Sequence, residues 1–286
     1  MIVGYRMDGL TLDELLAEEA QLLTLPYMVV QLLSMMDEPD ADFDELSELI
    51  SCDAVLSAKV LRIINSAYYA LPKKIDSINT AVNLIGLRRL RELVLATQVG
   101  EIFKGIAADS LDVRSFWENS YIAAILARDF AHALKLDEDR LFAVSLLHHL
   151  GIMVMLQRMP VQMAQIIQQA RADEQELQLQ ELAQLGYTHA DVAAGLMKLW
   201  QLSDYFVEVC QYHHHFYLAP CHAADAAVIH LADVMAQEMS PLMGLSGLDE
   251  EADLAVYDYV TLAPSTVDSL ARQALVERAN AGMLLQ

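Results

Sequence analysis

Apolar residues recur along the chain at three- and four-residue intervals and almost nowhere alternate with period two, which predicts an all-α fold. From Thr11 to Gln31 leucines keep this spacing, broken at Pro26. The acidic stretch Asp37–Asp44 reads as a turn and cap before a helix through Ile50. Asp53 is placed to cap the next helix, with Val55, Leu56, Val60, Leu61 and Ile64 on its inner side and Asn65 and Ser66 at its end. Ala67 to Ile78, holding Tyr68, Tyr69, Pro72, Lys73 and Lys74, reads as an exposed loop or broken helix. Ser77 or Asn79 then opens a short helix closed by Gly86, and another runs from Leu87 to Phe103.

Periodicity lapses between Gly105 and Asp112, where small and acidic residues gather. This is the predicted boundary between an N-terminal helical part, residues 1–108, and a second part, residues 109–286. Because the boundary is short and its flanking helices are apolar, the two are expected to form one rigid body. Further helices are predicted at Phe116–Ala133, Asp139–Gln157, Val161–Ala172, His189–Leu199, Tyr205–Tyr212 and Ala223–Met239, with a polar stretch into Leu185. A Gly-, Pro- and acid-rich tail, Ser240 to Ser265, precedes a last helix to about Ala281. No fixed-period repeat supports a solenoid.

Composition adds a large core: 55% of the 286 residues are hydrophobic and the mean hydropathy is +0.28. The longest nearly uncharged stretch, Leu141–Leu156, is interrupted by His148, His149 and Gly151 and falls short of the ~20 apolar residues of a membrane span, so it reads as a buried helix. MIVGYRMDGL has no apolar core and argues against a signal peptide. Cys52, Cys210 and Cys221 are odd in number and lack CxxC spacing, which predicts reduced thiols in a cytoplasmic protein. A net charge of −22 opposes nucleic acid or anionic lipid as a general partner.

One window departs from that balance. Between Lys59 and Arg91, seven basic residues stand against the single acid Asp76. Arg88, Arg89, Lys73 and Lys74 are the candidates for holding a signalling protein or small anionic ligand, and Arg62 is assigned an internal tie between the two parts. The competing reading pairs these cations with acids elsewhere in the chain, which contributes little where solvent-exposed.

Histidines supply the candidate chemistry: His132, His148, His149, His189, the run His213, His214 and His215, then His222 and His230. Imidazole is a common ligand for Zn, Fe, Ni or Mn. Singly, each reads as a packed or surface histidine, and the triple run as a helix C-terminus. No GxSxG, GxxxxGK[ST] or GxGxxG stretch is present. Cys210, near His213, is the nearest approach to a thiol nucleophile and reads as a buried helix residue.

These residues carry a resemblance. DAVLSAKVLRIINSAYY, from Asp53 to Tyr69, is similar to the signature of the HDOD family, bacterial signalling modules related to the HD phosphohydrolases. SINTAVNLIGLRRLRELVL, FWENS, LLHHLG, LGYTHADVAAGLMKLW, QYHHH and IHLAD follow in the family's order, covering about Leu25 to Gln237. The resemblance implies a helical N-terminal part packed on a degenerate HD-like part. Catalytic HD proteins surround divalent ions with a histidine, a His-Asp pair and a later aspartate, and those positions fall here at Asn119, His148, His149 and Asp233. Two of the four have changed: an amide ligates weakly, and imidazole in place of carboxylate removes a negative charge. No cofactor is therefore required, although His148, His149, His189, His213, His214 and Asp233 could gather around a divalent transition metal, with Glu118 near the lost ligand. The GYP motif of the cyclic-di-GMP phosphodiesterase branch is absent. The expected function is a non-catalytic signalling or scaffold module; the alternative is a residual metal-dependent phosphohydrolase acting on a nucleotide or phosphate ester.

Overall fold

The computed structural model describes residues 10–22, 29–31, 33, 35, 43–66, 69, 71, 73–102, 112–173, 176–239 and 255–284. Pro26, Tyr68 and the boundary expected at Gly105 lie outside them. Among the described residues the chain is all-α. Its helices are α1 (Leu12–Leu22), α2 (Phe43–Ser51), α3 (Ala54–Ile64), α4 (Ile78–Ile85), α5 (Leu87–Ile102), α6 (Val113–Leu134), α7 (Glu138–Leu147), α8 (Leu150–Arg158), α9 (Pro160–Asp173), α10 (Leu177–Leu185), α11 (His189–Leu199), α12 (Asp204–Tyr212), α13 (Ala223–Met239) and α14 (Pro264–Leu284).

Local chemistry sets these bounds. The Asp53 carboxylate accepts from the backbone N–H of Val55 and Leu56 at 2.9 and 3.0 Å and starts α3. Leu56, Val60, Ile63 and Ile64 form its buried face. Val55, expected on that face, is exposed, because successive side chains diverge by ~100° and Val55 falls off the stripe. Past the helix end, the Asn65 amide clamps the following loop: its nitrogen donates to the Ile75 carbonyl at 2.7 Å and its oxygen accepts from the Ile75 N–H at 2.8 Å. Ser77 caps α4, and Gly86 ends it at φ +84°, where a side chain would be strained.

Two groups of helices pack together. In the first, α2 to α5 contact one another. The second is built on α6, buried along most of its length beneath α7, α13 and α14, with α11 against α8 and α12. Although α1 comes first in sequence, it lies on α11, where the Tyr187 hydroxyl donates to the Leu10 carbonyl at 2.8 Å. Glu138–Arg158 is long and apolar enough to cross a membrane, but 89% of its apolar window is buried inside the fold.

Arginines of α5 join the groups. Arg88 pairs with Glu138, and with Asp139 at 3.2 Å, while Arg91 meets Asp139 at 3.2 Å. Arg89 reaches Glu92 at 3.2 Å and Glu277 of α14 at 3.3 Å. These contacts correct the expected division of labour: Arg88 and Arg89 make the internal ties assigned to Arg62, which is exposed along with Lys73 and Lys74. The Arg88→Glu/Arg89→Glu variant should accordingly lose at least about 1 kcal/mol in urea unfolding, because Arg89 faces the buried Glu92 rather than open solvent. An unchanged midpoint would return both residues to surface status.

Candidate metal centre

The predicted helix Asp139–Gln157 is two helices in the structure, α7 and α8, with His148 and His149 forming the turn between them. The apolar run extends through both, so periodicity alone did not show the break. On an unbroken helix these two rings would diverge; at the turn their centroids lie 3.7 Å apart. His189 opens α11, fixed by a reciprocal cap in which Thr188 and Asp191 satisfy each other's backbone N–H. His213 and His214 end α12, and Asp233 projects from the buried side of α13. Gly151 lets α8 and α11 approach: a Cβ there would lie 1.9 Å from the His189 carbonyl oxygen.

The donors converge. One ligand atom each from His149, His189, His213 and His214 lie within 4.8 Å of one another, as do one each from His148, His149 and Asp233. Outer hydrogen bonds orient three rings. His148 Nδ1 donates to the Ser145 carbonyl, and His213 Nδ1 to the Cys210 carbonyl at 2.7 Å, so each ring turns toward the pocket an Nε2 that has no hydrogen-bond partner. His148 Nε2 stands 3.6 Å from Asp233 Oδ1, and His149 Nε2 is 3.5 Å from Asp233 Oδ2. His189 Nδ1 donates to Glu181 Oε2 at 2.7 Å, while its Nε2 faces His214 Nε2 at 3.0 Å. Two lone pairs facing each other repel, so a proton or a cation must lie between these atoms. The buried, otherwise unsatisfied donors fit a borderline transition ion.

Electrostatics prepares the rings for that role. Burial, with His148 adjacent, lowers the His149 pKa to about 4 despite Asp233. Burial and neighbouring imidazoles hold His213 and His214 well below the usual value, leaving neutral ligands at pH 7. Burial opposes charge on His189, but Glu181 outweighs it and raises the pKa. Asp233 is also opposed by burial, yet His149 and His148 facing its oxygens hold it well below the usual carboxylate range.

Thus the structure brings His148, His149, His189, His213, His214 and Asp233 together in two groups that share His149. Asn119 is fully buried on α6, whereas Glu118 pairs with Arg114 at 2.9 Å. His132 is exposed and meets Glu138 at 2.9 Å. His230 Nδ1 and the His213 carbonyl are 3.1 Å apart, a contact behind the ring cluster. Cys210 is buried in α12, where desolvation pushes its thiol pKa up and keeps it inert.

Two buried charged residues escaped the sequence reading. Glu181 is fully buried and accepts from both His189 Nδ1 and the His189 backbone N–H, at 2.7 and 2.8 Å. Its signal was a carboxylate spaced four residues from both Leu177 and Leu185, on their helix face. Arg128 is also buried, pairing with Glu92 at 3.0 Å and Asp129 at 2.7 Å. An arginine inside the alanine-rich run of α6 was the available cue.

The fold has solved counterparts. An HDOD domain protein from Geobacter sulfurreducens superposes with a TM-score of 0.80 at 23% identity, over 94% of this chain and 97% of its own. A provisionally assigned phosphohydrolase from Shewanella amazonensis SB2B gives a TM-score of 0.73 at 25% identity, over 95% and 98% of the two chains. An uncharacterized Treponema pallidum protein is 26% identical over 202 residues, 68% of this chain. The chain spans 38% of the length of that curated relative. A family profile for the HDOD domain matches residues 22–216, more than half of the sequence and both groups of helices, and the chain therefore belongs to the HDOD domain family.

Proposed function

We propose that this chain is a non-catalytic signal-transduction module of the HDOD type, which binds a regulatory protein or small ligand and whose histidine pocket holds a divalent transition ion without using it for hydrolysis. The observation carrying this reading is the donor set: His149 replaces the carboxylate of the His-Asp pair, and among the described residues Asp233 is the only carboxylate in the two groups of converging ligand atoms. Glu181 is turned behind His189 and engaged there. His148, His149, His189, His213, His214 and Asp233 would hold the ion. When bound, a metal of this kind can polarise a ligand or lower the pKa of water. Asn119 and His149 deprive the pocket of the charge needed to set a hard cation beside a phosphoester. The remaining neutral imidazoles favour a softer ion, with Asp233 supplying partial charge balance.

Residual phosphohydrolysis is the second reading. It draws on the convergence of six donors and on similarity to the Shewanella structure. Metal analysis of purified protein, followed by a phosphoester panel with added Mn or Mg, separates the two. The expected result is a bound transition ion, lost in His189→Ala, and no turnover above background. Metal-dependent turnover that disappears in His148→Ala would establish the enzyme instead.

A further inference from the structure

A second polar cluster lies away from the histidines, where α5, α6 and α14 meet. Arg128 is tightly held by Glu92 and Asp129, at 3.0 and 2.7 Å. Glu277 joins more loosely. Its two carboxylate oxygens receive Arg89 Nη1 and Nη2 at 3.3 Å, and Arg128 Nη2 lies 3.4 Å from each. Charge-assisted pairs usually sit at about 2.7–2.9 Å, so this carboxylate is shared between two guanidinium groups without closing fully on either.

One cavity adjoins the shared carboxylate and a second adjoins the two guanidinium groups. A cavity of about 490 Å³ is bordered by Tyr69, Arg89, Glu92, Tyr121 and Glu277. Another, of about 290 Å³, is bordered by Arg88, Arg89, Arg128, Asp129 and His132. Arg88 and Arg89 are the exposed charges at the mouth, at 49% and 38%, while the Glu92 carboxylate behind them is 4% exposed. Arg88 and Arg89 therefore meet a solute before the less exposed acids do, whereas Arg128 lies behind them at 4%.

Small apolar contacts precede Glu277 on its helix. α14 buries Val267, Ala271 and Ala274 against its neighbours, with Leu270 partly covered, and exposes Leu275 and Val276. Glu277 thus follows a small-residue contact as a polar latch.

We propose that Arg89 and Arg128 form an oxyanion site, filled here by the chain's own Glu277, and that a phosphate or carboxylate group from solution enters by displacing Glu277 and loosening α14. Two planar forks directed at one carboxylate offer the paired N–H groups that either oxyanion accepts. Crowding by Glu277 also contributes to the raised pKa of Glu92 and Asp129, after the larger effect of burial, so the tethered carboxylate has a cost that its removal relieves. Anion entry would free one face of α6 and one helix, turning ligand binding into a change of surface. This proposal does not depend on a metal in the histidine pocket.

Titration calorimetry of the full chain with inorganic phosphate and with malonate, at ionic strength fixed by sodium chloride, tests the site; hydrogen exchange over residues 264–284 tests the latch. Glu277→Gln should bind one of the anions at least ten-fold more tightly than the parent, Glu277→Asp should fall between, and adding Arg89→Gln should abolish binding. Tighter phosphate binding would identify a phosphate-bearing ligand, and tighter malonate binding a carboxylate. In the parent protein the preferred anion should speed α14 exchange at least ten-fold. Absence of saturable binding in both Glu277 variants, indifference to Arg89→Gln, or unchanged α14 exchange in the parent would overturn the proposal.

Discussion

Gly151→Ala is expected to destabilise the protein by about 3 kcal/mol and to abolish metal retention, because the new methyl group meets backbone rather than a movable side chain. Its Cβ would stand 1.9 Å from the His189 carbonyl oxygen, 2.8 Å from the carbonyl carbon and 3.0 Å from Ala193 nitrogen. No rotamer can relieve those contacts. α8 and α11 must separate, carrying His149 away from His189, whose ring centroids now lie 5.4 Å apart. Gly195→Ala, on α11, provides a matched comparison. Its Cβ would approach Leu16 Cδ1 at 2.3 Å, but Leu16 is a flexible, partly buried side chain of α1, and about 1 kcal/mol is expected. Urea unfolding of both variants with metal analysis checks the ranking; equal losses, or a Gly151→Ala protein that keeps its metal, would contradict it.

Acid should also act through the pocket. His149 has a pKa of about 4 in the folded chain against 6.5 as its ordinary value, so its contribution is fully present above pH 6.5 and is lost as pH falls toward 4. The change is about 3 kcal/mol in the metal-free protein. His213 and His214 act with the same sign. His189 has a raised pKa and acts oppositely, contributing below pH 6.5 and losing that contribution as pH rises through its folded value. Burial raises Glu92 to about 8 and Asp129 to about 7, and both favour the fold as pH falls through those values. A total stability curve therefore mixes opposing trends. The difference between the parent and His149→Gln isolates the ring: it should shrink between pH 6.5 and 4.5 in chelator-treated protein. A constant difference across this window would show that His149 is not held neutral by its surroundings.

Much of the fold could be read locally. Asp53, Ser77 and Gly86 mark helix ends through hydrogen bonding or backbone conformation, and the predicted span Ala223–Met239 matches α13. The six metal candidates could be named from their resemblance to an HD arrangement, but their common pocket depends on the turn at His148 and His149, which no proline marks and which Gly151 follows only inside the next helix. Arg88 and Arg89 were harder to place. Apart from Glu92, three residues after Arg89, their acidic partners lie on α7 and α14, and Arg89 is separated from Glu277 by 188 residues, so no local pattern records those longer pairings. Glu181 was masked by its surroundings, a glutamate among Gln and Glu residues whose burial appears only when α10 packs beside α11.

Burial of Glu138–Arg158 has a consequence during protein synthesis. This stretch has the hydropathy of a membrane-spanning segment, yet α11 and α13, which help to cover it, end about 40 and 80 residues later. At roughly 5–20 residues per second, a ribosome takes about 4–16 s to make the chain from Arg158 to the end of α13. For that interval the nascent protein presents an incompletely covered greasy segment, with a turn carrying two histidines, to whatever chaperone waits at the ribosomal exit.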